Sequence, residues 1–127
     1  MTPNSILIVD DSEPMRRALR ACLSDLGVEI AECSDGAEVI SAYAAHRPAW
    51  VLMDIEMGGM DGLMATRRLL AAWPEARVVI VTNYDDEWLR VEAQAAGACG
   101  YILKENMLEV RQLFTAQETA KGAASDE

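Results

Sequence analysis

The stretch Trp50-Val51-Leu52-Met53-Asp54-Ile55-Glu56-Met57-Gly58-Gly59-Met60-Asp61-Gly62 decides the fold. Four apolar residues in a row read as a buried strand, and the run passes without a break into an aspartate and a glycine-rich loop. Asp54 is thereby carried to the mouth of a core strand. A carboxylate there is either a solvated turn residue or a group doing chemistry at the edge of a sheet, and Asp54 alone does not decide between the two. The ends of the other apolar runs do.

Working outward, Ser5-Ile6-Leu7-Ile8-Val9 is a second buried strand and ends on Asp10-Asp11. Ser12 and Pro14 open a helix in which Met15, Ala18, Leu19, Cys22, Leu23 and Leu26 form one apolar face; Arg16, Arg17 and Arg20 lie off it, and Gly27 closes it. Val28 to Cys33 alternates apolar and polar, which suits an edge strand. Ser34-Asp35-Gly36 turns into a second helix that must end before Pro48, with His46 as its polar end. Beyond the central strand, Asp61 is placed to cap a third helix stopped by Pro74. Arg77 to Val81 is another buried strand and delivers Thr82. The segment from Asp85 to Ala96 is a weaker helix that depends on docking, and Trp88 on it reads equally as core packing or as a surface aromatic marking a partner site. Cys99 to Leu103 forms a last strand that delivers Lys104, and a final helix starts near Asn106.

Five strands alternating with five helices define the α/β class: a single-domain, doubly wound five-stranded parallel sheet with helices on both faces. In such sheets ligands bind outside the carboxyl ends of the strands, where the strand order reverses. Asp10, Asp11, Asp54, Thr82 and Lys104 are therefore presented along one rim. Three carboxylates gathered there repel one another and need a cation or protons to coexist. A hard ion that takes oxygen ligands and shares itself with phosphate answers to Mg²⁺; Ca²⁺ fits less well, because the ligands are few and no loop spaces them regularly. Lys104 and Thr82 suit the outer oxygens of a phosphoryl group, and an aspartate can itself accept that group as an acyl phosphate.

Composition narrows the remaining choices. A chain of 127 residues carrying 21 acidic and 11 basic side chains has a net charge of −10, which repels a nucleic-acid backbone. The odd set Cys22, Cys33 and Cys99 sits in apolar surroundings and reads as small core residues of a reduced cytoplasmic protein, with no metal site among them. No segment has the ~20 apolar residues of a membrane span, and the amino terminus has no targeting pattern. Residues 1–119 are expected to form the domain and residues 120–127 a disordered tail.

In this order, Asp10-Asp11, the Met53-to-Gly62 stretch around Asp54, Thr82, and Gly97-Ala98-Cys99-Gly100-Tyr101-Ile102-Leu103-Lys104 resemble the receiver domain of bacterial two-component response regulators. The resemblance implies a flavodoxin-like strand order 2-1-3-4-5. It also implies that Asp54 is phosphorylated from a phosphohistidine of a sensor histidine kinase or phosphotransfer protein. Asp11 and Asp54 would bind Mg²⁺ directly, the backbone carbonyl of Glu56 would be a third ligand, and Asp10 would act through water. Thr82 and Tyr101 would be a switch pair that reshapes the face made by the fourth helix, fifth strand and fifth helix for an output protein, with homodimerisation on phosphorylation as a further expectation.

Some positions depart from the pattern. Gly58 stands where the family usually has proline, Glu105 where many receivers have a cis proline, Asn83 replaces the usual small residue, and Glu56 adds an acid beside the site. Lacking the proline after Lys104, the chain resembles the receivers of helix-turn-helix DNA-binding regulators. The sequence ends without a further helical motif, so a stand-alone receiver is expected, with the receiver half of a transcriptional regulator as the alternative. A haloacid-dehalogenase-type phosphohydrolase fits poorly, because Ser12 and Glu56 stand two residues after Asp10 and Asp54, where that family needs a second aspartate. A binding module that is never phosphorylated fits poorly with the intact acids, threonine and lysine.

Overall fold

The structure, a computed structural model, describes residues 5–114. The order is β1 (Ser5–Val9), α1 (Glu13–Leu23), β2 (Glu29–Cys33), α2 (Val39–His46), β3 (Trp50–Met53), α3 (Gly62–Ala72), β4 (Val78–Thr82), α4 (Glu87–Ala95) and β5 (Gly100–Leu103), followed by a helix, α5, over residues 107–114. All strand pairs are parallel, in the order β2-β1-β3-β4-β5. The edge position of β2 and the order 2-1-3-4-5 match the expectation.

The apolar runs are continuous because both faces of the sheet are covered, and the two-residue period of a strand divides them. Leu7, Val9, Val51, Met53, Val78 and Ile80 point one way and pack with Val39 and Tyr43 of α2, Leu63 and Leu69 of α3 and Ala93 of α4. Ile6, Ile8, Leu52, Val79, Val81 and Ile102 point the other way, against Leu19 and Leu23 of α1 and Val110 of α5.

Three helix starts are fastened by side chains that accept an otherwise unpaired backbone N–H. Ser12 accepts from Met15 at 3.2 Å, Asp61 from Met64 at 2.9 Å and Asp86 from Leu89 at 3.0 Å. The α1 stripe differs from expectation in detail. The α-helix stops at Leu23, a 3₁₀ turn over Ser24–Leu26 completes it before Gly27, and Ala18 is exposed. Cys99 is a correction: it is exposed, because β5 begins one residue later, whereas Cys22 is half-buried and Cys33 buried. Trp88 is 65 % exposed, so core packing is not its role. No helix among the described residues is long and apolar enough to cross a membrane. The expected boundary at residue 119 and the tail beyond it lie outside the described residues.

Candidate functional site

Sheet register brings the rim together. Val9 of β1 lies opposite Met53 of β3, so Asp10 and Asp54 leave adjacent strands side by side, and the Asp54 N–H donates to the Val9 carbonyl at 2.9 Å. This pair flanks the point where strand order reverses. Thr82 of β4 lies opposite Leu103 of β5, and the Lys104 N–H donates to the Thr82 carbonyl at 2.7 Å. That bond anchors the lysine loop, where Glu105 stands in place of a proline. The loop after Asp54 is drawn tightly under the site: the Gly62 N–H donates to the Ile55 carbonyl at 2.8 Å, and a Cβ at residue 62 would lie 1.8 Å from the Asp54 carbonyl oxygen. Only glycine permits that approach.

Of the five rim residues expected from the sequence, Asp10, Asp11, Asp54 and Lys104 converge, and Thr82 ends the neighbouring strand β4. Carboxylate oxygens of Asp10, Asp11 and Asp54 lie within 4.8 Å of one another. Lys104, only 12 % exposed, places its Nζ 3.0 Å from Asp10 Oδ2 and 3.3 Å from Asp54 Oδ1. Asp10, Asp54 and Thr82 are buried, and Asp11 is exposed. A cleft of about 430 Å³ opens beside them, lined by Asp11, Asp54 and Lys104 together with Glu56, Asn83 and Tyr84.

One ammonium shared between two buried carboxylates leaves the charge unbalanced. Burial first, and the Asp10 charge second, push the Asp54 carboxyl up to about 6 although Lys104 opposes the shift. Burial works against the Lys104 charge too, but Asp10 and Asp54 overcome it and raise the lysine above its usual value. The site thus carries excess negative charge on hard oxygen donors. That chemistry fits Mg²⁺, with Asp10, Asp11 and Asp54 as the residues that could hold it.

Several contacts here were not anticipated. Arg16, read as lying off the apolar face of α1, donates to the Asp10 carbonyl at 2.7 Å and pairs with Glu32 at 2.9 Å, tying the first acid loop to β2. The Gly58 N–H donates to Asp11 Oδ2 at 3.1 Å. The Tyr84 hydroxyl donates to the Glu56 carboxylate across the cleft. Thr82 and Tyr101 meet on this same tyrosine: the Tyr84 N–H donates to Thr82 Oγ1 at 3.3 Å, and the Tyr101 hydroxyl donates to the Tyr84 carbonyl at 2.6 Å. None of these contacts follows the period of a helix or strand; Tyr101 was expected as a switch residue and Gly58 noted as a departure from the family pattern, whereas Tyr84 was not singled out.

Residues 6–116 match the family model described as the response regulator receiver domain, and the chain belongs to that family. It is thus a receiver domain of the two-component type, a phospho-accepting signalling switch, and the family binds Mg²⁺ at an acidic aspartate cluster. The chain is 34 % identical over 119 residues to the response regulator GacA of Pseudomonas aeruginosa, covering 88 % of this chain and 56 % of GacA. It is 35 % identical over 107 residues to the response regulator MprA of Mycobacterium sp. (strain KMS), covering 84 % and 46 %. The chain therefore spans about half the length of these curated relatives. Among solved structures, a LuxR-family two-component response regulator from Aurantimonas sp. SI85-9A1 superposes with a TM-score of 0.85 at 28 % identity, covering 94 % of this chain and 87 % of that one. The BeF3-activated N-terminal receiver domain of Klebsiella pneumoniae RstA superposes with a TM-score of 0.81 at 25 % identity, covering 88 % and 97 %.

Proposed function

We propose that Asp54 is the phosphoacceptor of this receiver. The observation that carries this reading is a buried carboxylate at the mouth of β3, grouped with two other carboxylates and 3.3 Å from a buried ammonium. An Asp54 oxygen attacks phosphorus as the P–N bond of a donor phosphohistidine breaks. The acyl phosphate forms on Asp54, and the imidazole nitrogen keeps the bonding pair and is protonated. Lys104 moves from its carboxylate partners to the incoming phosphoryl oxygens, and the Thr82 hydroxyl bonds another of them. Asp11, Asp54 and the backbone carbonyl of Glu56 would hold Mg²⁺ directly, and Asp10 through water. When bound, the ion neutralises the repulsion among the acids and draws charge from the phosphoryl oxygens.

In this reading the chain catalyses no reaction beyond its own phosphorylation and dephosphorylation. It acts in the cytoplasm, its donor is a sensor histidine kinase or phosphotransfer protein, and Thr82 and Tyr101 act as the switch pair through their shared partner Tyr84. The output surface is the α4-β5-α5 face, which also serves homodimerisation. Intact mass after incubation with Mg²⁺ and acetyl phosphate tests the central step. One added phosphoryl group that needs Mg²⁺ and is absent from Asp54→Ala is the expected result. An adduct that persists in Asp54→Ala, or a chain that takes up neither phosphate nor beryllofluoride, would refute it.

A further inference from the structure

The three acids of the cluster are held unequally. Asp10 is 2 % exposed, with Oδ1 accepting from the Ser12 N–H at 2.8 Å and Oδ2 lying 3.0 Å from Lys104. Asp54 is 5 % exposed and shares the same lysine. Asp11 is exposed and stands outside the lysine's contacts; what reaches it is the loop that leaves Asp54, whose Gly58 N–H donates to Asp11 Oδ2 at 3.1 Å.

We infer that the backbone amide of Gly58 is a positioning donor that presets the Asp11 carboxylate for a divalent cation. The inference rests on the reading of Asp10, Asp11 and Asp54 as the Mg²⁺ site. An exposed aspartate otherwise samples several rotamers, and a cation must select one of them. A donor fixed on one oxygen removes that freedom and leaves the other oxygen and its lone pairs for the metal. Such outer partners orient a ligand. The donor exists because residue 58 has an N–H, and a proline at this point of the loop could not supply it. The side chain is immaterial, since the nearest atom to a Cβ at residue 58 is Asp11 Oδ2 at 3.9 Å. Gly58→Ala therefore keeps the amide and fits, whereas Gly58→Pro deletes the amide.

The test is Mg²⁺ affinity by calorimetry on the unphosphorylated chain. Gly58→Pro should bind about 10-fold more weakly than wild type, at the low end for outer partners because Asp11 is exposed, and Gly58→Ala should match wild type. Equal affinity for wild type and Gly58→Pro overturns the inference and leaves the acid cluster as the metal site. A wild-type chain that binds no Mg²⁺ overturns the site reading and the inference together. Because proline also restricts Met57, a second measurement uses the intact loop: the Gly58 amide proton, followed by NMR, should exchange faster and move upfield in Asp11→Ala. A Gly58 amide indifferent to Asp11→Ala overturns the inference whatever the proline variant does.

Discussion

Replacing Asp54 by asparagine should make the metal-free domain more stable at neutral pH. In the fold the Asp54 carboxyl is pushed up from 3.8 to about 6, first by burial and then by the Asp10 charge. At about 1.36 kcal/mol per unit, that shift means its ionised form costs the folded state roughly 3 kcal/mol. Asparagine keeps the shape and removes the charge, while Lys104 retains Asp10 at 3.0 Å. The lost attraction to Lys104 is already counted in the net shift, so roughly 3 kcal/mol is the ceiling and about 1–3 kcal/mol the expected gain. For a domain of this size that is a rise in Tm of about 3–10 °C.

The sign of the pH dependence follows from proton counting. Between pH about 4 and pH about 6 the folded wild type binds more protons at Asp54 than the unfolded chain, so its stability falls as pH rises through that window. Below pH about 4 the carboxyl is protonated in both states and the penalty disappears. Urea titrations of both proteins in a chelator, at pH about 7.5 and at pH about 4, measure the difference, and other carboxylates cancel in the comparison. The gap should be open at the higher pH and closed at the lower. Saturating Mg²⁺ should narrow it by stabilising the folded wild type through mass action. An asparagine variant no more stable than wild type at neutral pH, or a gap that ignores pH, would refute the account of a site held under electrostatic stress.

Two further outcomes follow from packing. Gly62→Ala puts a methyl group 1.8 Å from the Asp54 carbonyl oxygen, so the loop must shift, and a loss of at least about 2 kcal/mol is expected by chemical denaturation, together with slower phosphorylation; an unchanged midpoint would show that the loop yields freely. Burial raises both thiols, that of Cys33 up to about 12, but Cys99 is exposed and Cys33 buried, so a thiol reagent at mildly alkaline pH should label Cys99 before Cys33, which reacts only on unfolding; equal rates, read by peptide mapping, would contradict the packing of β2.

Strand ends were legible because they depend on repeating patterns, whereas the order 2-1-3-4-5 came from the family resemblance. Four strands ending on Asp10, Asp54, Thr82 and Lys104 place those groups along one rim wherever a parallel sheet forms, and register alone then sets Asp10 beside Asp54. Caps were legible for a related reason: Ser12 and Asp61 precede helical segments at the spacing their hydrogen bonds require. Cys99 was misplaced because the apolar run before Tyr101 reads one residue too long, and the alternation of faces within a short strand is lost at its first position.

What stayed hidden lies between loops. The bonds from Arg16 to the Asp10 carbonyl, from Gly58 to Asp11 and from Tyr84 to Glu56 join residues whose separation in the chain carries no periodic signal. These contacts have a common direction. Each ties a loop that bears an acid of the site to a neighbouring segment, and so restrains carboxylates whose mutual repulsion would otherwise spread them. The two core layers supply the rigidity for that restraint: Val9 and Met53, fully buried immediately before Asp10 and Asp54, cannot retreat without opening the sheet. A cation would therefore meet acids already gathered, and a phosphoryl group a lysine that has only to leave its carboxylate partners.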